Sequence, residues 1–486
     1  MFNKKLPKVL SVLQSFLGKE YFMSNKENFF DFFVNIKDVI REIIALGGKP
    51  YLVGGSVRDY ILNKDIKDVD IEVHGITLDI LEECLKKFGK VKLVGKKFGV
   101  LRLYKHDIDW SLPRADSKGR KPLVVIDPNM TIEQACKRRD LTMNAMAIDL
   151  NLLDDIEIID PYNGLKDLKD KKLKAVDEKL FLEDPLRFFR VMQFIGRFEM
   201  VPDENLNKIC KSMSLIDPET KKIIAKERID EEIKKLFLKS RRPSLGFRWL
   251  KEIGRLKELF PEIYDLISVK QRKDYHPEGN VFEHTMQSLD AAAIIKEYEN
   301  ESEKYLIMLG VLCHDLGKIV ATDENLHCQG HDKAGVPLTR SLLKRFLKNK
   351  FLIDAVCKLV EYHTRPFVLL KQKSKLSAYK RLALKLAPQL NLRQLALVNL
   401  ADVRGRNPNS HEPISEIYQD VYQEFLQKAE NAKVVRGPEK PILLGRHLLD
   451  VITAGPEMGR LLKKAYEIQI EEGVRDWQEL KKRVLK

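Results

Sequence analysis

The alternation of apolar and polar residues divides the chain into a mixed first part and a longer helical part. Residues 29–46 carry apolar side chains at helical spacing and end at a glycine pair, which is typical of a helix C-terminus. Short apolar runs follow at 51–53 and 68–71, and their length predicts strands. Farther along, helical spacing recurs in stretches such as 181–198 and 226–237. The pattern therefore predicts an α+β chain.

The first part contains further predicted elements. Residues 78–88 show helical spacing, and two strand-like runs follow, VKLVGKKFGVLRLY and HDIDWSLPR. Strands gathered at one end of a chain and helices at the other favour an α+β architecture. We expect a head with a small mixed β-sheet, followed by segments that are helical throughout.

Candidate chemistry lies in the strand–turn–strand stretch YLVGGSVRDYILNKDIKDVDI. Gly54 and Gly55 follow the first strand, where glycines allow close backbone approach and their N–H groups can face an anion. Asp68 and Asp70 alternate along the second strand, so both carboxylates point to the same side. Oxygen ligands held in this way suit Mg²⁺, which keeps substrate phosphates in its shell. Either half alone is also common as a plain turn or a solvated strand edge.

Asp109, in the run HDIDWSLPR, is a candidate third carboxylate. We expect it to face the same metal ion as Asp68 and Asp70. The alternative is an exposed strand aspartate with no part in catalysis.

The glycine pair and the two aspartates together resemble the signature of the nucleotidyltransferase superfamily, in the branch of CCA-adding enzymes and bacterial poly(A) polymerases. The segment KRRDLTMNAMAI resembles the RRDxTxNA motif of the same family. The resemblance implies that Asp68 and Asp70 hold Mg²⁺ and act as catalytic residues with Asp109. It also implies a triphosphate site built from Gly54, Gly55, Arg58 and Arg139.

The stretch FLEDPLRFFRVMQFIGRF resembles the EDxxR motif of this family, in which an aspartate and an arginine read the incoming base. Asp184, Arg187 and Arg190 recur every three residues and so share one stripe of a helix. A fixed acceptor and donor pair matches cytosine and adenine but leaves unpaired groups against uracil and guanine, and such mismatches discriminate strongly. Asp184 stands before a proline, so capping of the helix is its alternative role.

A second candidate metal site lies in the helical part, where seven of the ten histidines fall between His276 and His411. The adjacent pair His314 and Asp315 sits within an apolar run, LGVLCHDLGK, where burial without a partner is costly. The order of histidines and aspartates resembles the HD phosphohydrolase superfamily. That resemblance implies a site for a divalent transition metal or Mg²⁺ with the ligands His284, His314, Asp315 and Asp402. His331 and His363 are further candidates to contact substrate phosphate or a second ion.

Composition adds little to this picture but agrees with it. The net charge of +15 favours a polyanionic partner without naming one, and a generally lysine-rich proteome would give the same excess. The six cysteines show no C-x-x-C spacing, which indicates reduced thiols and a cytoplasmic setting. No apolar run approaches the length of a membrane span, so we expect no membrane partner.

The motif order suggests a division into five segments. The segment DPYNGLKDL resembles the family's motif at the junction between catalytic head and helical neck. The predicted segments are an N-terminal extension (1–27), a nucleotidyltransferase head (28–165), a helical neck and body that bind nucleotide and tRNA (166–270), an HD phosphohydrolase domain (271–405) and a helical tail (406–486).

The resemblance implies addition of CCA to the 3′ end of tRNA from CTP and ATP, with release of pyrophosphate. It also implies phosphatase or 2′,3′-cyclic phosphodiesterase activity in the HD domain. A poly(A) polymerase and an enzyme adding only CC or only A stay open, because the run GKKF at 95–98 is close to a GRRF segment of poly(A) polymerases. The alternative from another class is a passive RNA-binding head with only the HD site active.

Overall fold

The chain forms two compact units, Met1–Ile224 and Ala225–Lys486. A computed structural model describes residues 26–64, 69–94, 99–104, 108–116, 124–152, 157–216, 224–408 and 420–486. Asp68 and the GKKF run at 95–98 lie outside these residues. The finer division into five segments stays a prediction.

The first unit is built on a mixed sheet of seven strands in the order β3-β4-β5-β2-β1-β8-β9. Strand β2 is antiparallel to β1 and parallel to β5, while β8 is antiparallel to β1 on its other side. The sheet strands are β1 (Lys49–Val53), β2 (Val69–His74), β3 (Val91–Val94), β4 (Val100–Leu103), β5 (Ile108–Ser111), β8 (Ala147–Asp149) and β9 (Ile158–Ile159). Two-stranded ladders join β6 (Arg114–Asp116) to β7 (Val124–Ile126) and β10 (Lys172–Leu173) to β11 (Val201–Pro202).

Local sequence explains where the helices of this unit begin. Thr77 accepts a hydrogen bond from the Ile80 N–H, and Thr131 forms a capping box with Gln134, so each satisfies backbone groups at a helix start. The helices are α1 (Lys26–Ala45), α2 (Gly55–Ile61), α3 (Leu78–Lys86), α4 (Ile132–Lys137), α5 (Gly164–Lys169), α6 (Glu178–Leu182), α7 (Leu186–Phe198) and α8 (Glu204–Ser212).

The second unit, as far as it is described, is helical. Its helices are α9 (Lys226–Lys239), α10 (Ser244–Glu252), α11 (Leu256–Leu259), α12 (Pro261–Asp265), α13 (Val281–Ala293), α14 (Glu301–Cys313), α15 (Lys318–Ala321), α16 (His331–Leu343), α17 (Lys350–Tyr362), α18 (Arg365–Lys371), α19 (Leu376–Leu386), α20 (Leu392–Arg404), α21 (Asp420–Asn431), α22 (Pro456–Glu472) and α23 (Trp477–Val484). The centre of the unit is formed by α13, α14, α17 and α20, which pack on one another and bury long apolar faces.

These elements confirm the predicted fold class, a small mixed sheet followed by helical segments. The helix predicted at 29–46 spans Lys26–Ala45, and the helix predicted at 78–88 ends at Lys86. Within the described part of the chain, none of the helices combines the length and the hydropathy needed to cross a bilayer.

Candidate functional site

The turn after β1 is shaped by a glycine that no other residue replaces easily. Gly54 has φ 69°, in the left-handed region, and its N–H donates to the Met146 carbonyl at 3.3 Å. A Cβ at this position would lie 2.7 Å from Nη1 of Arg139. The missing side chain therefore lets the Arg139 guanidinium lie directly against the turn, beside the start of α2.

The acidic strand β2 is tied to the same turn. Ser56, in the first turn of α2, accepts a hydrogen bond from the Asp70 N–H at 3.3 Å. Asp70 is the exposed residue of an otherwise buried strand, so its carboxylate faces the solvent side of the sheet. A carboxylate and the predicted phosphate turn therefore share one edge of the head.

Asp109 lies beside Asp70. The parallel register of β2 and β5 pairs Asp70 with Asp109, and paired residues on neighbouring strands project from the same face. On the next strand, Arg102 donates to Asp109 from Nε at 2.7 Å and from Nη2 at 3.2 Å. The predicted third carboxylate thus stands next to Asp70, while Asp68 lies outside the described residues.

Arg139 is oriented by a residue that the sequence analysis did not single out. Glu72 follows Asp70 on the same face of β2, and its Oε2 lies 3.5 Å from Arg139 Nη2. Nε2 of His74 lies 3.0 Å from Glu72 Oε1, and the ring Nδ1 donates to the Met130 carbonyl at 2.7 Å. Burial alone would raise the pKa of Glu72, but His74 and the Arg139 charge lower it. Glu72 is therefore an ionised partner for Arg139.

Arg58 lies behind the turn. Its side chain is 5% exposed, and Nη2 would be 3.3 Å from a Cβ at Gly55. Nη1 donates to Asn144 Oδ1 at 2.5 Å and Nε to Asp59 Oδ1 at 2.9 Å. In this structure the guanidinium supports the glycine turn from below.

The predicted base-reading residues lie just before α7 and in its first turns. Asp184 Oδ1 accepts the Leu186 N–H at 3.0 Å, so its alternative role as a helix cap is present in the structure. Arg187 donates to the Leu180 carbonyl at 2.9 Å and to the Arg138 carbonyl at 2.7 Å. Arginine has five N–H donors, so these two bonds fix the guanidinium plane and leave donors for a base.

Asp140 and Asn144 are buried residues of the KRRDLTMNAMAI segment that were not proposed as site residues. Asp140 accepts from Arg190 Nε at 2.5 Å and from Asn144 Nδ2 at 2.9 Å. Burial alone would raise the pKa of Asp140, but the Arg190 charge and the Asn144 bond hold it well below its usual range. Their signal in the sequence was the RRDxTxNA motif itself, which places both residues within one short segment.

The helical unit brings all six predicted HD residues together. His284 lies in α13, His314 and Asp315 directly follow α14, and Asp402 lies in α20. His331 begins α16 and His363 follows α17. These residues, which lie in or directly after five helices, therefore converge at one buried site.

The distances separate two groups that share an aspartate. Nε2 of His284 lies 3.2 Å from His314 Nε2 and 3.1 Å from Asp402 Oδ1. Asp315 Oδ2 is 3.4 Å from His314 Nε2. Its other oxygen, Oδ1, faces a second group, 3.4 Å from His331 Nε2 and 3.8 Å from His363 Nε2. Asp315 thus lies between two sets of candidate ligands.

The histidine rings are held so that their Nε2 atoms face this place. His314, His331 and His363 each donate Nδ1–H to a backbone carbonyl three residues earlier, at 2.7 Å in every case. Nδ1 of His284 instead lies 2.7 Å from Glu278 Oε1. Such partners fix the tautomer and present Nε2 to a metal ion. Glu278 belongs to the HPEGN segment at 276–280, which the sequence analysis did not propose as part of the site.

The carboxylates of this cluster are ionised. Burial alone would raise the pKa values of Asp315 and Asp402, but Lys318 beside the first and Arg406 beside the second hold them well below their usual range. Burial lowers the pKa of His363 to about 4, with further lowering from the neighbouring histidines, so its imidazole is neutral. Burial alone would also lower the pKa values of His284 and His331, but neighbouring acceptors such as Asp402 and Asp315 raise them to about 9 and about 10, so these two rings must release a proton when a metal ion binds.

Both predicted metal sites have suitable donors. In the head, side-by-side carboxylate oxygens fit Mg²⁺. In the helical unit, His284, His314 and Asp402 offer ligand atoms within 4.8 Å of one another, and so do Asp315, His331 and His363. Mixed imidazole and carboxylate sets suit transition metals.

Three family profiles match the chain. The Poly A polymerase head domain matches residues 50–174, which contain the sheet and the glycine turn. The probable RNA and SrmB-binding site of polymerase A matches residues 212–266, and the HD domain matches residues 281–403. The three matches follow one another in the order that the motifs indicated.

The chain is also similar to solved structures over nearly its whole length. A CCA-adding enzyme in an apo form has a TM-score of 0.61 at 20% identity, over 98% of both chains. The Bacillus stearothermophilus CCA-adding enzyme in complex with CTP has a TM-score of 0.62 at 19% identity, over 93% of this chain and 97% of that one. At such identities the likeness establishes the fold alone.

Curated relatives are closer in sequence. The multifunctional CCA protein of Pasteurella multocida is 35% identical over 397 residues, which cover 78% of this chain and 90% of the relative. That of Mannheimia succiniciproducens is 33% identical over 404 residues, covering 80% and 92%. With this identity over most of both lengths, and with matches to the head and HD profiles, the chain belongs to the multifunctional CCA protein family.

Proposed function

We propose that this protein adds CCA to the 3′ end of tRNA, using CTP and ATP and releasing pyrophosphate. The observation that carries the proposal is the hydrogen bond between Ser56 and the Asp70 N–H, which joins the glycine turn to the acidic strand. A phosphate turn beside carboxylates is what nucleotidyl transfer requires, because catalysis at phosphorus rests on positioning and charge stabilisation.

The head residues divide the work as follows. Asp68 and Asp70 would hold Mg²⁺, with Asp109 as the third carboxylate. When bound, the ion neutralises charge on the triphosphate and favours ionisation of the tRNA 3′-hydroxyl. The turn at Gly54 and Gly55, through the Gly55 N–H, and the Arg139 guanidinium bind triphosphate oxygens, since backbone N–H groups and arginine both suit phosphate.

Asp184 and Arg187 read the base, and Arg190 assists them. The two carbonyl bonds of Arg187 hold its guanidinium in one plane, so the remaining donors have a fixed direction. A fixed donor beside a carboxylate acceptor matches the amine and ring nitrogen of cytosine or adenine. Uracil and guanine present the reverse order and leave buried groups unpaired, which costs binding energy.

The HD site supports a second activity, metal-dependent hydrolysis of phosphate esters such as a terminal phosphate or a 2′,3′-cyclic phosphate on RNA. Asp315 has one oxygen toward each ligand group, so both groups would hold a divalent cation with its help, and such a cation would activate water against the phosphate ester. Lys318 Nζ, 2.7 Å from Asp315 Oδ2, adds a positive charge for substrate phosphate. All six cysteines are free thiols, which supports a cytoplasmic location for both activities.

Replacement of Asp70 tests the proposal against a passive RNA-binding head. We expect Asp70→Ala to abolish nucleotide incorporation into tRNA lacking CCA while phosphohydrolase activity persists. The conservative Asp315→Asn should have the opposite effect. Unchanged incorporation by Asp70→Ala would require the alternative in which only the HD site turns over.

A further inference from the structure

A chain of buried polar contacts joins the base-reading helix α7 to the glycine turn. It starts at Arg190, whose Nε donates to Asp140 Oδ2 at 2.5 Å. The other oxygen of Asp140 accepts Asn144 Nδ2 at 2.9 Å. Asp140 is 7% exposed and Asn144 4%, so the contact between these two residues is shielded from water, while Arg190 reaches Asp140 from a partly exposed position.

The chain continues from Asn144 to the turn. Asn144 uses its donor toward Asp140 and its acceptor toward Arg58 Nη1, at 2.5 Å. The Arg58 guanidinium in turn lies close against the turn, since its Nη2 would be only 3.3 Å from a Cβ on Gly55. A single amide thus connects the carboxylate that holds Arg190 with the guanidinium that supports the predicted phosphate turn.

Helix α7 also contacts Arg58 at its far end. The Arg58 guanidinium lies 4.7 Å from the ring centroid of Phe198 and 5.5 Å from that of Phe194. Asp59 accepts from Arg58 Nε at 2.9 Å and from Arg197 Nη2 at 3.3 Å. Since α7 contacts Arg58 directly at one end and through two side chains at the other, a shift of the helix must disturb the turn.

We propose that Asp140 and Asn144 are positioning residues that couple base recognition on α7 to the grip of the glycine turn on the triphosphate. A base that fits Asp184 and Arg187 keeps α7 in the position that this relay requires. A base that displaces α7 moves Arg190 and Arg58, so the phosphates lose their alignment with the catalytic carboxylates. The fit of the base thereby determines whether the reacting phosphorus is aligned with the catalytic carboxylates.

The inference rests on the proposed nucleotidyl transfer and predicts a specific form of energetic coupling. Arg58→Lys and Arg190→Lys each weaken one end of the relay while keeping the charge. In the otherwise unchanged protein, their effects on kcat/KM for CTP should be non-additive by about fivefold or more, as for residues in one bonded network. In an Asn144→Leu background, the non-additivity should become smaller, because only the direct contacts between α7 and Arg58 then connect the two sites.

Specificity gives a readout that a merely structural role would not move. We expect Asn144→Leu to raise the incorporation of UTP relative to CTP by about tenfold, since a displacement of α7 is then no longer transmitted to Arg58 through Asn144. Asn144→Ser is the milder variant if the leucine variant does not fold. Asn205→Leu, on the exposed surface of α8, is the matched control and should leave the ratio unchanged.

Each result has a definite meaning when the unchanged enzyme and the HD phosphohydrolase activity are measured in the same preparations. Non-additivity that is smaller in the Asn144→Leu background supports the relay, and non-additivity that is unchanged there would overturn it. Multiplicative effects in the unchanged background, or an equal loss with CTP and UTP in the Asn144 variants, would overturn it. Absence of CCA addition by the unchanged enzyme would instead reject the proposed function.

Discussion

Asp70 and Asp109 are paired in register on the neighbouring parallel strands β2 and β5. They are far apart in the sequence, and only the order of strands in the sheet brings them side by side. Arg102 follows in the same row and holds the Asp109 carboxylate with two hydrogen bonds. The row places a positive charge beside the proposed ion-binding pair, where it can orient Asp109 before the ion and nucleotide bind.

The role of Asp109 can be separated from that of an ordinary exposed strand aspartate. We expect Asp109→Asn to lower kcat for both CTP and ATP by about 10²–10³-fold, because the variant removes a charge that stabilises the transition state. Single-turnover assays with tRNA primers measure the effect. Asp79→Asn, at an exposed position of α3, is the control, and similar rates for the two variants would assign Asp109 to the solvated strand edge.

Gly54→Ala tests the contact between the turn and Arg139. The new methyl group would lie 2.7 Å from Arg139 Nη1, so we expect a higher KM for both nucleotides. The backbone cost of alanine at positive φ is separate and is of order 1 kcal/mol. Gly47→Ala is the matched control, since Gly47 has φ 86° but nothing within 4 Å of its Cβ position. Equal KM values in the two variants would contradict the proposed role of the turn.

Glu278 supports His284 by a side chain, whereas the other three histidines of the cluster are supported by backbone carbonyls. A side-chain substitution can therefore remove the partner of His284, but not the backbone partners of the other three histidines. We expect Glu278→Gln to weaken Mn²⁺ or Ni²⁺ binding by about 10–100-fold, the usual cost of losing such a partner. Calorimetric titration of metal-free protein measures this, with Glu283→Gln as control because Glu283 pairs with Arg248. Equal metal affinities of Glu278→Gln and the unchanged protein would show that Glu278 does not support the metal site.

Asp140 makes the stability of the head depend on pH. The pKa of Asp140 in the folded protein lies below the unfolded value of about 3.9, so the ionised carboxylate stabilises the fold above that pH. This stability is lost as the pH falls through the folded pKa. We expect Asp140→Asn to be destabilised by about 3 kcal/mol at pH 7, as when a buried ion pair is broken, and by less below pH 4. Urea unfolding at both pH values measures the difference; a deficit that does not depend on pH would contradict the assignment. The exposed Asp38→Asn is the control.

Local features of the sequence sufficed for much of the fold. Helical spacing placed α1 and α9 within a few residues of their observed bounds, and Asp184 caps α7 as the Asp-Pro pair indicated. These features depend on neighbours in the chain. The convergence of His284, His314, Asp315 and Asp402, implied by the family resemblance, is also present in the structure.

The contacts that organise the site depend on chain folding and could not be read locally. Arg58 follows the glycines and was expected at the triphosphate, yet its guanidinium is buried against Phe198 and Asn144. Its neighbours come from an element far along the chain. Glu72 looked like an ordinary charge in the sequence, and the motif that contains Asp140 did not reveal its partners, because only the folded head surrounds each carboxylate with donors. Periodicity carries no information about such pairs.

The most direct measurement of the central claim is nucleotide addition to tRNA that lacks CCA, with each labelled nucleotide alone and with CTP and ATP together. If Asp184 and Arg187 read the base beside the catalytic strand, CTP alone should add two residues, both nucleotides should complete CCA and stop, and UTP and GTP should not be incorporated. Long tails formed from ATP alone would contradict CCA addition and identify a poly(A) polymerase.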